Sequence, residues 1–329
     1  MTLQSLKYPN SSAISAGHDH TLDSARNILI DGGNAVDAAI AAFATACIAE
    51  PCMASAGAGG FAVVYMDRQD PVLVDFFCQT PKSKNRERDL DFLQIPVDFG
   101  EAKEVYYGGL ASMALPGSVA GLFALHDRWG SRPMRMLFEQ AIHHSREGVP
   151  INDFQHHDLS LLSSVFDFYP RGGKLFKPDG ELIKVGEVLR LQQFADFLDY
   201  LGREGKDAFY KGEVAGKLIS ACEENGGFLS REDLESYSVE FRKPLQKRVK
   251  NLDVFTNGFP SIGGPLMTAA LEEANKLSTF SEMIIPSFLR MESFQKDPQK
   301  IAEYLGRNRR GATSHFNILD RWGNAVALT

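Results

Sequence analysis

Five histidines, His126, His143, His144, His156 and His157, are the residues of this chain whose type most directly suggests chemistry, since a neutral imidazole can ligate a metal or move a proton near pH 7. Their spacing argues against a metal. His143 and His144, like His156 and His157, are adjacent, so a helix turns them to different sides, and neither His-x-x-x-His nor His-Glu-x-x-His occurs. Cys47, Cys52, Cys78 and Cys222 repeat no metal-ligand spacing and read as free thiols of a reducing compartment. Cys78 has no base near it in sequence that would make it a thiolate nucleophile. The glycine loop at 55–61 lacks a Walker lysine and feeds a strand rather than a helix, which excludes a phosphate cradle of that kind. The stretch 313–329 reads on its residues alone as a β-hairpin. Ser314, Phe316 and Ile318 alternate with Asn317 and Leu319, residues 320–324 carry the Gly and Asn of a tight turn, and Ala325 to Leu328 return as a short apolar strand.

The elements that must position these residues are legible from their stops and starts. A helix over 21–30 ends at Gly32-Gly33, and Asn34 caps a second helix in which Val36, Ile40, Phe43 and Cys47 recur at helical spacing among seven alanines. So small a surface suits close packing against a sheet. Glu50-Pro51 stops that helix. Strands over 62–66 and 71–77 form a hairpin across Arg68-Gln69-Asp70, and Pro116-Gly117 opens a helix that closes at Gly130. Phe194, Phe197, Leu198 and Leu201 mark a helix expected to end at Gly202, and Ser230 caps an acidic first turn. A strand at Val254-Phe255 leads to Gly263-Gly264 and a helix through Met267 to Leu277.

The 329 residues suffice for one large domain or two ordinary ones, and 44% hydrophobic content supports a sizeable core. A net charge of -7 argues against nucleic acid as a partner, and the basic run 242–250 reads as a solvated face. Residues 1–9 lack the apolar core of a signal peptide and no run is long enough to span a bilayer, so a cytoplasmic protein with no membrane partner is expected.

Several of these stretches, in the same order, resemble the γ-glutamyltranspeptidase family. Gly32-Gly33-Asn34-Ala35-Val36-Asp37-Ala38-Ala39 is similar to the family's N-terminal block. So are the glycine loop at 55–61, Ala114-Leu115-Pro116-Gly117-Ser118, the landmarks around Phe209 and Gly227-Phe228-Leu229, and Pro260-Ser261-Ile262-Gly263-Gly264. Thr313-Ser314-His315-Phe316, followed by Asp320-Arg321-Trp322-Gly323-Asn324-Ala325-Val326, looks like the start of the family's catalytic small subunit. The resemblance implies a large-subunit-like segment, 1–312, and the beginning of the small subunit, 313–329. It implies an α+β fold, the four-layer αββα sandwich of N-terminal-nucleophile hydrolases, incomplete here for want of most of the small subunit.

The resemblance also implies a mechanism. Thr313 would be the nucleophile once self-cleavage between Ala312 and Thr313 frees its α-amino group, whose ordinary pKa of about 7.7 to 8.0 lets it act as the base for its own hydroxyl. The substrate would be a small-molecule amide, γ-glutamyl or related, with the acyl group passed to water or an amine and with no metal or organic cofactor. Gly263, Gly264 and position 77 would contact it. At 77 the chain departs from the family, whose arginine for the substrate's α-carboxylate is replaced by Phe77. Two other readings follow from the departures: a related amidohydrolase or acylase on a non-glutamyl amide, or an inactive fragment. The remainder of a small subunit is expected to be required, with Ala325 to Leu328 left as an unpaired apolar edge.

Overall fold

The computed structural model describes residues 11–83, 89–98, 103–168, 170–249, 251–258, 261, 263–275 and 314–329. Strand β1 (Ala13–Ser15) leads into α1 (Asp19–Ile30) and α2 (Ala35–Ala49); β2 (Gly60–Tyr65) and β3 (Val72–Phe76) form the expected hairpin. Helices α3 (Ser118–Trp129), α4 (Met134–Glu147), α5 (Gln192–Glu204) and α6 (Arg231–Glu235) follow. Next come β4 (Glu240–Arg242), β5 (Leu245–Val249), β6 (Leu252–Thr256), α7 (Gly263–Asn275), β7 (Phe316–Leu319) and β8 (Ala325–Leu328).

Helix α2 explains the layering. All of its residues are buried, as befits a helix that is apolar all round. Its alanines let α1, α3 and α4 approach it while another side lies on β7 and β8. Helix α5 packs on α4 in turn. The sheet under α2 has six antiparallel strands among the described residues, in the order β1-β7-β8-β2-β3-β4. Its helix-facing side carries Ala62, Val64, Val74, Phe76, Phe316, Ile318, Val326 and Leu328, all in one core with α2. The described residues thus build one β layer and the helical layer on it, in an α+β fold.

Three expectations change. Ala325 to Leu328 are not an unpaired edge: Val326 stands opposite Ile318 on one side and Val64 on the other, which places β8 inside the sheet. Helix α5 runs through Gly202 to Glu204 and is closed by Gly205 at φ 80°. Gly202 instead serves packing, since a Cβ there would come within 3.3 Å of the Arg135 backbone on α4. The basic run is partly neutralised, with Arg242 bonded to Asp75, Lys247 to Glu272 and Arg248 to Asp253.

The turn joining β7 to β8 is anchored to α2 through Asp320, which is 2% exposed. Its Oδ2 accepts from the Ala35 backbone N–H at 2.9 Å and from Asn324 Nδ2 at 2.8 Å, and its Oδ1 accepts from the N–H groups of Trp322 and Asn324. Replacing it by alanine strands several buried donors, each costly when left unsatisfied. Asp320→Ala should therefore lower the unfolding free energy by about 2 to 4 kcal/mol in urea titration, and Asp320→Asn, which keeps one acceptor, by less. A loss below about 0.5 kcal/mol, the ordinary surface range, would contradict the anchoring role.

Candidate active site

The sheet brings the start of β7 to one end, next to the ends of β8 and β3. Thr329 closes this end of β8 by exchanging backbone hydrogen bonds with Phe61, N–H to O at 2.8 and 2.9 Å. The Phe61 ring in turn stacks on Phe77, with centroids 5.1 Å apart. His315 bonds through Nδ1 to the Thr329 hydroxyl and through Nε2 to Asn317 Oδ1 at 3.2 Å. Ser314 donates its hydroxyl to Glu50 Oε2 at 3.0 Å. Thr313 and Ala312 lie outside the described residues. The residue that follows Thr313 in sequence is therefore held at the sheet end that also carries Phe77.

Glycines make this convergence possible. A Cβ on Gly60 would come 2.3 Å from the Thr329 carbonyl oxygen, one on Gly59 would meet the Cys78 nitrogen at 2.5 Å, and one on Gly117 would meet the Phe76 carbonyl oxygen at 1.9 Å. No side chain fits in such gaps. The glycine loop thus serves close backbone approach.

Phe77 is 46% exposed. Its N–H donates to Asp75 Oδ1 at 3.0 Å and its carbonyl accepts from the Tyr237 hydroxyl at 2.9 Å, so the backbone that presents the ring is fixed on both sides. The Asp75 carboxyl is raised above its ordinary range by burial, against the pull of the Phe77 N–H and Arg242. Arg68, the cation of the hairpin, has φ 61° and sits at the far turn in a solvent-exposed pair with Asp67. Gly263 and Gly264 open α7 beside the separate two-stranded sheet of β5 and β6, so the main sheet does not unite them with Phe77. The two differ in kind. Gly264 lies where a Cβ would meet the Asn257 carbonyl oxygen at 1.9 Å, whereas the space around Gly263 is open.

The remaining candidates are engaged elsewhere. His126 Nε2 bonds to the Arg132 carbonyl and His156 Nδ1 to the Ile183 carbonyl. His143 and His144 cluster with His18 and His20, and burial followed by these neighbours pushes His144 down to about 4, so it is neutral near pH 7. Among the described residues no group of three or more His, Cys, Asp or Glu side chains is arranged to hold a metal ion, and no helix is long and apolar enough to cross a membrane. Glu50, His315 and Tyr237 escaped the sequence reading. Only the Glu50-Pro51 helix stop drew attention to the first.

Two stacked facts, an all-buried helix on an antiparallel sheet and a hairpin whose leading residue is delivered to that sheet's end, describe the fold of an N-terminal-nucleophile hydrolase. The γ-glutamyltranspeptidase family model matches residues 23–294, and the chain belongs to that family. A solved γ-glutamyltranspeptidase from Helicobacter pylori superposes with a TM-score of 0.75 at 25% identity, covering 87% of this chain and 82% of that one. The glutathione hydrolase proenzyme of Escherichia coli K12 is 26% identical over 92% of this chain and 59% of its own length. A cephalosporin acylase from Bacillus halodurans shares the fold at 19% identity, with a TM-score of 0.77 over 99% of this chain and 68% of that one. The chain spans about three fifths of the length of the curated relatives it matches.

Cys78 is half-buried, and burial raises its thiol against the weaker pull of the Gly117 N–H. A raised thiol pKa means less thiolate at neutral pH. Iodoacetamide at pH 7.5 should therefore modify Cys78 much more slowly than free cysteine, with the rate climbing as pH rises. Modification at the free-cysteine rate would reveal a thiolate and reopen Cys78 as a nucleophile.

Proposed function

We propose that this chain carries the nucleophile of a self-cleaving amidase or acyltransferase of the γ-glutamyltranspeptidase type. The observation that carries the reading is the fixed position of Ser314, bonded to Glu50, and of His315, bonded to Thr329, at the sheet end where Thr329 pairs with Phe61, which commits the start of the hairpin to that end. The family membership and the proenzyme relatives support it. In the precursor the Thr313 hydroxyl oxygen attacks the Ala312 carbonyl carbon and the amide nitrogen leaves as the free Thr313 amine; water then hydrolyses the resulting ester, which releases the Ala312 carboxylate and frees the Thr313 hydroxyl. That amine then takes the hydroxyl proton as Thr313 attacks a substrate amide. The proton passes to the departing amine, an acyl-enzyme ester remains, and water or an acceptor amine resolves it. Part of a small subunit outside this chain completes the site.

Denaturing gels of the full-length precursor, this chain together with the rest of the small subunit, should show two fragments, the smaller beginning Thr-Ser-His-Phe. Thr313→Ala should stay as one uncut chain, and Thr313→Ser should cut more slowly. Unchanged fragmentation in Thr313→Ala would assign the cut to an outside protease and remove the nucleophile.

A second reading concerns the donor and rests on Phe77. An arginine can meet a substrate α-carboxylate with two charge-assisted hydrogen bonds, each about 1.5 to 3 kcal/mol before desolvation. The Phe77 ring offers none, Arg242 is already bonded to Asp75, and Arg68 lies at the opposite end of the hairpin. An ionised carboxylate against the Phe61–Phe77 stack is poorly solvated. The preferred donor is then an amide whose acyl part lacks a free α-amino acid head, with hydrolysis exceeding transfer. Simple acyl anilides should outperform a γ-glutamyl anilide, and Phe77→Arg should shift the preference toward the glutamyl donor. Strong native preference for the glutamyl anilide would overturn this reading.

A further inference from the structure

The carboxylate of Glu50 occupies a place that helix electrostatics disfavours. It is the C-cap residue of α2, at the end where the unpaired carbonyls concentrate negative charge, and it is only 9% exposed. Among the described residues no salt bridge compensates it. Its described side-chain partners are two hydroxyls from distant parts of the chain: Thr21 Oγ1 donates to Oε1 at 2.8 Å and Ser314 Oγ donates to Oε2 at 3.0 Å. Room for it is built in, because a Cβ on Gly17 would stand 2.4 Å from Oε2. A buried carboxylate at the negative end of a helix is retained at a cost in stability, so a role beyond packing is called for.

We propose that Glu50 is a positioning residue for the nucleophile, acting through Ser314. Resting on the reading of Thr313 given above, the tether fixes the residue bonded directly to Thr313 while α1 and α2 hold Glu50 from the other side. It limits rotation of the backbone that carries the attacking hydroxyl, both for self-cleavage and for the later attack on substrate. Glu50 touches neither the substrate nor the reacting atoms, and no proton is assigned to it. Misplacing a reacting group by as little as about 1 Å can cost a factor on the order of a hundred in rate. Losing one of several restraints should cost roughly tenfold.

The test follows cleavage of the full-length precursor over time for Glu50→Met, Ser314→Ala and the double variant. Methionine is close in length but has no oxygen to accept from either hydroxyl, whereas a glutamine amide could still donate to Ser314 Oγ. Each single variant should slow cleavage roughly tenfold. The double should be no slower than the singles, because one interaction is removed once. Ser314→Thr, which restores a hydroxyl, should cleave at close to the native rate. After cleavage the Ser314→Ala enzyme should lose kcat with little change in KM.

Asp320→Ala separates positioning from stability, since it loosens the same hairpin at its far turn without touching Ser314. Equal slowing of cleavage by Asp320→Ala at an equal loss of stability would reduce Glu50 to a structural tie and overturn the proposal. So would native-rate cleavage in both Glu50→Met and Ser314→Ala while Thr313→Ala stays uncut, an outcome that leaves the nucleophile assignment standing. If the native full-length precursor does not cut before Thr313, both readings fall. Should Glu50→Met fail to fold, Ser314→Ala and Ser314→Thr decide the matter alone.

Discussion

The first turn of α2 is where the molecule is tied together. A helix N-terminus leaves backbone N–H groups with no partner inside the helix, and one end of the helix dipole there favours negative charge. Asn34 takes the N–H groups of Val36 and Asp37. The Ala35 N–H goes to Asp320. Asp37 is itself buried, and it accepts from the Asn34, Ser131 and Arg132 N–H groups. Two carboxylates and one amide thus join α2, the loop after α3 and the β7–β8 turn at a single point, and Asn324 extends the network to the Asp67 N–H of the neighbouring hairpin. The network thus adds polar ties between α2 and the sheet to the apolar core they share.

That anchorage has a geometric consequence at the other end of α2. The helix's 15 residues span roughly 22 Å at about 1.5 Å per residue. From Asp320 back to Ser314, six steps of extended chain cover roughly 20 Å at about 3.3 Å each. The two lengths match, and each end of the segment is bonded to an end of the helix: Asp320 to Ala35, and Ser314 to Glu50. Helix α2 and the strand beside it are thus matched in length, with a separate bond at each end, and the one to Glu50 holds the start of the hairpin. Because the helix surface is mostly alanine, little side-chain adjustment is available to blur that distance.

Much of this was legible in the residue order, because caps and turns are local. Asn34, Glu50, Gly130 and Ser230 all lie at the helix boundaries that their side chains or backbone freedom suggest, and the 320–324 turn uses the Gly and Asn read from it. What could not be read was which local units meet. Alternation along 325–328 says that the strand has a buried face, but not that its second neighbour is β2, more than 250 positions earlier in the chain. Gly202 has the composition of a helix stop, and only the approach of α4 makes it a packing residue. Glu50 looks like a surface acid at a helix end until Thr21 and Ser314 come into view. Pairings of this kind depend on tertiary contacts that no short window contains.

The substitution at position 77 shows how a rigid frame confines change. The backbone around it is held from three directions, by Asp75 on its N–H, by Tyr237 on its carbonyl, and by Gly59 and Gly117, which let neighbouring chain lie against 76–78 without side chains between. The ring stacks on Phe61, and Phe61 is in turn paired to Thr329 at the end of β8. Phe77 therefore presents a flat apolar surface on a fixed backbone, about half of it open to solvent, where the resemblance would place a cationic tip. Under the proposed function, that exposed ring would set which acyl group is well solvated at this end of the sheet, while the Glu50 end of α2 would set where the nucleophile lies.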